Sequence, residues 1–189
     1  MKVISASRKY ATLFKTLMET GLMPYELSQV EEKDINFDTC TLTARGYKRH
    51  ASRVFKLTHE TTAMLKEYFR KYGKIPESQW ICKLWRQHRN AVAKKLQDPA
   101  IHNIRLYDLR HYYGTTTYAK TKDILYVKQQ LGHKKIETTM IYIQLIHFEE
   151  EDQYTCRTAT NVKDATQLIE NGFEYIQDID GIKLYRKRK

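Results

Sequence analysis

Cysteine, glycine and proline are scarce in this chain of 189 residues, which holds three, seven and three of them. Three scattered thiols without C-x-x-C spacing form neither a disulfide framework nor a zinc knuckle, so reduced cysteines are expected. With 41% hydrophobic residues, so little glycine and proline excludes collagen-like and disordered chains. No apolar run approaches the roughly 18–20 residues of a membrane span, and the first residues turn polar too early for a signal peptide. We therefore expect a cytoplasmic protein with no membrane partner.

Acidic residues are also in deficit, and the deficit is uneven along the chain. The whole sequence has 33 basic and 22 acidic residues, a formal charge of +11. Residues 1–148 hold 26 basic and 13 acidic residues, whereas residues 149–189 hold 7 and 9. A single charge run is commonly a solvated face, but an excess of this size in one segment favours an anionic partner. Double-stranded DNA is the foremost candidate, and a DNA-associated location in the nucleoid is expected.

Hydrophobic spacing and end signals predict an α+β chain that is mostly helical. A helix ending at Gly21 precedes a short helix and three antiparallel strands over residues 35–57, with a basic loop between the second and third strands. Several helices follow, and a small αββ tail closes the chain with a hairpin turn at Asp180-Gly181. The acidic run from Glu149 to Asp152 suggests a boundary between a domain over residues 1–148 and a tail over 149–189.

Three short segments carry residue types suited to phosphate chemistry. The first is the hairpin from Arg45 to Lys56, which is basic and contains no acidic residue. The second is Tyr107-Asp-Leu-Arg110-His111, and the third is Leu131-Gly132-His133, with Tyr142 nine residues later. Arginine offers planar, permanently charged donors to phosphate oxygens, and a tyrosine oxygen can form a covalent phosphate ester.

In this order the segments resemble the catalytic domain of tyrosine recombinases, the family of phage and archaeal integrases and Xer proteins. That family has an arginine in TGLR-x-x-EL, a hairpin lysine, an HxLRH box, an LGH box and a tyrosine nine residues past its histidine. The resemblance covers roughly residues 7–148 and implies the family's catalytic fold and an archaeal or viral origin. It also implies site-specific DNA recombination or integration through a 3′-phosphotyrosyl intermediate, with self-association on DNA. Such chemistry needs no metal, no ATP and no small-molecule substrate.

The resemblance also implies roles for individual residues. Tyr142 is the nucleophile, Arg110 the second arginine that clamps the scissile phosphate, and His133 a hydrogen-bond partner of the same phosphate. Lys48 is the hairpin lysine, the general acid for the leaving 5′ oxygen. Two further groups are expected at the phosphate, and four basic side chains are expected along the DNA. The two groups at the phosphate are Tyr107, which stands where the family has histidine, and His111. The four side chains along the DNA are Arg45, Arg49, Arg53 and Lys56.

The chain departs from the family pattern at its first clamp arginine. The segment from Thr20 to Leu27 matches TGLR-x-x-EL, but Met23 occupies the arginine position. A methionine cannot clamp a phosphate, and in other phosphoryl-transfer enzymes one arginine is worth about 10³–10⁵ in rate. Loss of cleavage activity is therefore expected. The chain also begins at the first helix of the catalytic domain, so the family's N-terminal core-binding domain is expected to be absent.

Several alternatives stay open at this level. A non-cleaving DNA-binding protein with a regulatory or relic role is the main one, and a protein-interaction module that assembles through its tail is another. Arg110 could pair only with Asp108 or Asp123, and His133 could be only a cap residue after Gly132. Lys56 and Arg49 are rivals of Lys48 for the hairpin lysine. Trp80 and Trp85 are expected in the core rather than in a base-stacking platform.

Overall fold

The structure, a computed structural model, describes residues 8–46, 52–151, 154–179 and 181–188. The chain divides into two compact units, Met1–Tyr142 and Ile143–Lys189. The predicted seam at residues 148 and 149 falls inside a continuous helix that begins in the first unit. The elements of the first unit are α1 (Arg8–Thr20), α2 (Pro24–Ser28), β1 (Ile35–Asn36), β2 (Thr41–Ala44), β3 (Arg53–Lys56), α3 (His59–Tyr72), α4 (Ser78–Leu96), α5 (Asp108–Thr121) and α6 (Ile124–Leu131). Helix α7 (Glu137–Glu151) runs from the first unit into the second, which also contains β4 (Tyr154–Ala159), α8 (Val162–Glu170), β5 (Glu174–Ile179) and β6 (Ile182–Arg188).

Helix α1 lies at the centre of the first unit. Its apolar stripe of Leu13, Phe14 and Leu17 is buried, because helices α3, α4 and α5 pack around it. Thr16 and Thr20 are also fully buried, and each hydroxyl donates to the carbonyl four residues earlier, which satisfies it without a tertiary partner. This packing fixes the C-terminal end of α1 against α5, where the candidate site lies.

The predicted three-stranded meander is present, in the order β1-β2-β3 with antiparallel pairing throughout. Leu42 pairs with Phe55, and both are buried on the core face, while Val54 points outward and is 55% exposed. Alternation of this kind fixes the strand register, since a slip of one residue would turn Phe55 to solvent. The basic loop between β2 and β3 lies largely outside the described residues, because residues 47–51 are among those not described.

End signals in the sequence predicted the helix boundaries around the site well. Thr58 caps α3 by accepting from the Thr61 amide, and the helix ends at Gly73 in the left-handed conformation. Asp123 accepts from two amides at the start of α6, which ends at Gly132 with φ of 68°. Glycine adopts this left-handed conformation with little strain, whereas other residues do not. The turn at Gly132 ends α6 and places His133 directly after it.

The second unit is a three-stranded antiparallel sheet, ordered β4-β6-β5, with α8 against it. Its small core contains Ala159, Ala165 and Tyr185, with Leu168 and Phe173 packed around them. The sequence predicted α8 and the hairpin of β5 and β6, but it missed β4. This strand pairs with β6, about 30 residues away, and its own sequence pattern is too weak to predict a strand.

The expected fold class, mostly helical with a three-stranded antiparallel sheet, is confirmed. One core assignment is wrong. Trp85 is buried and donates from its indole nitrogen to the Ile104 carbonyl, but Trp80 is 54% exposed, with the Lys83 ammonium over its ring. Within the described ranges, no helix combines the length and the apolar character that crossing a membrane requires.

Candidate active site

Arg110 is the most constrained of the candidate site residues. It lies in the first turn of α5, and its side chain is only 7% exposed. One terminal nitrogen donates to the Gly21 carbonyl at 2.6 Å, and the other donates to the Leu131 carbonyl. The guanidinium therefore joins the end of α1 to the end of α6. Burial lowers the pKa of Arg110, and the nearby Glu26 carboxylate opposes that effect.

Gly21 is placed to receive this contact. Its φ is +63°, and a Cβ at this position would lie 2.5 Å from the Tyr113 ring, so only glycine turns the chain here without displacing α5. The turn directs the Gly21 carbonyl at Arg110. The arginine therefore does not depend on Asp108 or Asp123, since Asp108 pairs with Arg105 and Asp123 caps α6.

A second buried arginine shares a carboxylate with the first. Arg53, on β3, is 4% exposed in its side chain and binds the Oε1 atom of Glu26. Its other terminal nitrogen donates to the Gln130 carbonyl at 3.0 Å. The Oε2 atom of Glu26 accepts from the Met23 amide at 2.8 Å and lies 3.8 Å from an Arg110 terminal nitrogen. Arg53, which was expected along the DNA, instead lies inside the site.

His133 follows the α6 terminus and faces the same region. Its Nδ1 atom lies 3.0 Å from the Thr139 hydroxyl, which is fully buried near the start of α7. Burial lowers the pKa of His133 to about 4, and the positive charge of Arg110 contributes to the effect. The imidazole is therefore neutral at physiological pH, and when Thr139 donates to Nδ1, Nε2 carries the proton.

This depressed pKa makes the stability of the fold depend on pH. The unfolded state binds a proton at His133 below its ordinary pKa of about 6.5, whereas the folded state resists protonation until about pH 4. Stability from this residue is therefore present above pH 6.5 and is lost as the pH falls towards 4. We expect urea unfolding midpoints to fall over that window, and a His133→Gln variant to show a shallower fall. An equal fall in the two proteins would contradict the assignment.

Tyr142, on α7, is buried in a slot beside α5. It is 1% exposed, and its ring lies parallel to the His133 ring, with centroids 6.5 Å apart and planes 10° apart. A Cβ added to Gly114 would lie 2.5 Å from the Tyr142 Cζ atom, so the absence of a side chain at residue 114 makes room for the ring. Burial raises the pKa of Tyr142 to about 12, and the charge of Arg110 acts in the opposite direction.

Tyr107 and His111 complete the described part of the site. The His111 ring lies between two tyrosines, with centroids 4.9 Å from Tyr107 and 5.9 Å from Tyr142. Burial lowers the pKa of His111, and its Nδ1 atom is buried without a hydrogen-bond partner within the described chain. Tyr107 is 41% exposed and Tyr142 is 1% exposed, so the Tyr107 phenol is the more accessible of the two tyrosines.

Met23 is at the rim of this arrangement. It precedes α2, its side chain is exposed, and its amide is tied to Glu26. The backbone position that the resemblance aligns with the family's first arginine is thus one hydrogen bond from the carboxylate that lies 3.8 Å from Arg110. The side chain at this position is a neutral thioether, which offers no donor to an anion.

The other predicted DNA contacts are on the sheet or outside the described residues. Lys48 and Arg49 belong to the segment that is not described. Arg45 is half exposed and pairs with Glu31 and Asp34, which raise its pKa. The Lys56 ammonium donates to the Thr39 carbonyl. In the ranges that the structure describes, no cluster of three or more histidine, cysteine or acidic residues could hold a metal ion.

Sequence reasoning missed two residues that shape the site. Glu26 is part of the matched TGLR-x-x-EL pattern, so the pattern itself could have marked it. Gly114 carries no comparable signal, since a glycine inside a predicted helix has many explanations. Its importance comes only from the close approach of Tyr142, which a linear sequence does not show.

The sequence is similar to a known family and to several curated proteins. The phage integrase family matches residues 2–147. The chain is 28% identical over 158 residues to the tyrosine recombinase XerA of Saccharolobus solfataricus, covering 81% of this chain and 52% of that protein. It is 25% identical over 146 residues to a probable integrase/recombinase protein of Methanocaldococcus jannaschii, covering 70% and 44%. The chain thus spans about half the length of the curated relatives it matches.

Solved structures show the same fold. A crystal structure of XerA recombinase matches with a TM-score of 0.63 at 18% identity, covering 79% of this chain and 60% of that one. XerH bound to its difH substrate in a pre-cleavage complex matches with a TM-score of 0.56 at 20% identity, covering 75% and 45%. The family match extends over the segment in which Arg110, His133 and Tyr142 converge. The chain belongs to the phage integrase family, the tyrosine recombinases.

Proposed function

We propose that this chain acts in site-specific DNA recombination or integration, cutting and rejoining strands through a 3′-phosphotyrosyl bond at Tyr142. The observation that supports it most is the convergence of Arg110, His133 and Tyr142 within one buried region. Each comes from a different helix or turn, and together they supply the phenol, imidazole and guanidinium that phosphoryl transfer through a tyrosine requires. Arg110 also keeps an Nε–H without a partner in the described chain, so its donor capacity is not exhausted.

The proposed reaction assigns one task to each group. The Tyr142 hydroxyl loses its proton to solvent as its oxygen attacks the scissile phosphorus. The bond to the 5′ oxygen breaks, and Lys48 delivers a proton to that leaving oxygen. Arg110 and the Nε2–H of His133 stabilise the charge that develops on the non-bridging oxygens. A neutral His133 can donate one hydrogen bond without adding charge. Since the phosphotyrosyl ester retains the bond energy, the free 5′ hydroxyl can reverse the reaction without ATP or a metal.

Loss of the first clamp arginine favours a second function for the chain as it stands. With Met23 at the rim, a single arginine of the family's clamp pair remains, so a DNA-binding protein that cleaves poorly fits the same geometry. Trapping on nicked duplexes separates the two functions, because religation fails when the cleaved strand loses a short fragment. A species that survives a denaturing gel supports cleavage, and duplex binding without that species supports the non-cleaving alternative.

The exposed side of α4 is a good candidate for contact with DNA outside the catalytic pocket. This 19-residue helix contains no acidic residue, and Lys83, Arg86 and Lys94 are all exposed on it. It packs against α2, which follows Met23, and Trp85 and Arg89 bind the Ile104 carbonyl just before the α5 segment. A basic surface so close to the site can position a duplex through its phosphates.

Binding through this surface should be steeply salt-dependent. Each phosphate that the protein neutralises lowers the slope of log K against log salt by about 0.9. We expect replacement of Lys83, Arg86 and Lys94 by glutamine to weaken duplex binding and to flatten that slope by about two to three units. The matched control replaces Lys66, Arg70 and Lys71, which are exposed on α3, and removes the same charge. Equal losses in the two triple variants, measured by fluorescence anisotropy over a salt series, would contradict a DNA contact on α4.

We further propose that the chain self-associates on DNA and that residues 149–189 serve assembly rather than chemistry. Support comes from the separate compact unit at this end and from its exposed apolar side chains, which include Val162, Ile169 and Tyr175. We include the predicted nucleoid location in the same proposal, because a recombinase must be in contact with its DNA to act on it.

A further inference from the structure

Two arginines and one carboxylate form a network behind the proposed phosphate site. Arg53 and Arg110 donate to the consecutive carbonyls of Gln130 and Leu131 at the end of α6, so both hold the turn that leads to His133. Between them lies Glu26, bound tightly to Arg53 through Oε1 and only loosely, at 3.8 Å, to Arg110 through Oε2. All three side chains are at most 16% exposed, so water screens their interactions weakly.

Glu26 and a phosphate would compete for Arg110. A carboxylate near a guanidinium forms a charge-assisted hydrogen bond whenever the geometry allows it, and such a bond uses the donors that an anionic ligand needs. In this chain residue 23 has no guanidinium to engage Glu26 from the rim, so Arg53 is the cation that holds the carboxylate. The Met23 amide is the second restraint, since it fixes Oε2 at 2.8 Å.

We propose that Arg53 is a positioning residue that holds the Glu26 carboxylate away from Arg110. Arg110 thereby stays available to bind an oxyanion. This inference rests on the proposed function, because it takes the oxyanion to be the scissile phosphate of DNA. In this proposal Arg53 acts through Glu26 rather than on the phosphate. Its two terminal nitrogens bind Glu26 and the Gln130 carbonyl, and its Nε–H, like that of Arg110, has no partner in the described chain. Without Arg53, Glu26 would close on Arg110 and occupy the site itself.

Inorganic phosphate is a suitable probe, because the target DNA sequence is not needed. The readout is the ring resonance of His133 in carbon-labelled histidine NMR spectra, assigned among the seven histidines with a His133→Gln variant. In the parent chain we expect a saturable shift of this resonance. Arg53→Gln should weaken phosphate binding about tenfold or more, given the usual strength of hydrogen bonds to charged groups. Glu26→Gln alone should bind phosphate at least as tightly as the parent, because the side-chain amide oxygen still accepts from the Met23 amide but no carboxylate is left to compete for Arg110.

The double variant Arg53→Gln/Glu26→Gln provides the decisive comparison, since it removes both the competitor and its restraint. We expect it to bind phosphate at least as well as the parent, and Arg53→Lys to recover much of the parent affinity. Arg70→Gln, which makes the same exchange at an exposed position on α3 outside the network, is the matched control and should change nothing. If the double variant binds as weakly as Arg53→Gln, or if Glu26→Gln binds more weakly than the parent, the positioning role is wrong.

A parent chain that shows no saturable shift would also overturn the inference, because there would be no oxyanion site to keep open. That outcome is distinct from failure of the proposed function, which the covalent trapping assay tests with DNA itself. Thermal unfolding of each variant in phosphate-free buffer reports whether the fold is intact. A destabilised Arg53→Gln chain leaves Glu26→Gln as the test, since that variant keeps Arg53 in place.

Discussion

Replacing Met23 by arginine is expected to raise covalent DNA adduct formation by about 10²–10³-fold, the usual worth of one preorganised charge donor in a transition state. The site can accept the change, because Met23 is 44% exposed at the start of α2 and no core atom must move. The new guanidinium would begin at the residue whose amide already binds Glu26, close to Arg110. Two clamp arginines would then share the charge of the phosphate.

The measurement uses a pool of nicked duplexes of random sequence and scores protein–DNA species on a denaturing gel. Tyr25→Arg is the matched control, since it adds the same charge two residues away at a side chain of similar exposure. It should leave the adduct yield near that of the parent, and Tyr142→Phe should abolish the gain. A parent chain that already forms the adduct rapidly would show that residue 23 is not the clamp position.

Replacing Gly114 by alanine is expected to disturb the site, because the added methyl group would collide with the Tyr142 ring. At an ordinary helix position Gly→Ala stabilises a protein by about 1 kcal/mol. Here the new Cβ would lie within 2.5–2.8 Å of three Tyr142 ring carbons, so the ring or the helix must shift. We expect a net destabilisation of about 1–3 kcal/mol, the usual cost of overpacking, and a loss of adduct formation in the Met23→Arg background.

A double-mutant cycle tests the cause of that loss. In a Tyr142→Ala background the methyl group meets no ring, so Gly114→Ala should become neutral or stabilising. Urea unfolding of the four chains gives the coupling between the two positions. If Gly114→Ala is equally harmful with and without the ring, the close approach of Tyr142 is not the reason for the glycine.

The sequence predicted the fold well wherever local chemistry determines the structure. Thr58, Gly73 and Asp123 act as helix caps through contacts within a few residues, and such contacts are visible in a linear pattern. The candidate nucleophile, histidine and arginine were predicted from short motifs in a fixed order, and the three side chains lie close together in the structure. Strand β4 was missed, since its pairing with β6 depends on residues far along the chain.

Partners within the site could not be read from the sequence. Arg53 and Glu26 are 27 residues apart, and nothing in either segment shows that β3 brings a guanidinium to the carboxylate of α2. The basic run from Arg45 to Lys56 suggested an exposed surface, yet its arginine at residue 53 is buried. Trp80 and Trp85 differ in exposure for the same reason, because the face of α4 that meets the core is decided by tertiary packing.

The most direct test of the proposed covalent bond between Tyr142 and DNA is to identify the residue that carries the nucleotide. The Met23→Arg chain is trapped on nicked duplexes, digested with nuclease and protease, and the modified peptide is sequenced by mass spectrometry. We expect the remaining phosphate ester on Tyr142 and on no other tyrosine. A modification on the exposed Tyr107, or an adduct that persists in the Tyr142→Phe chain, would show that Tyr142 is not the nucleophile.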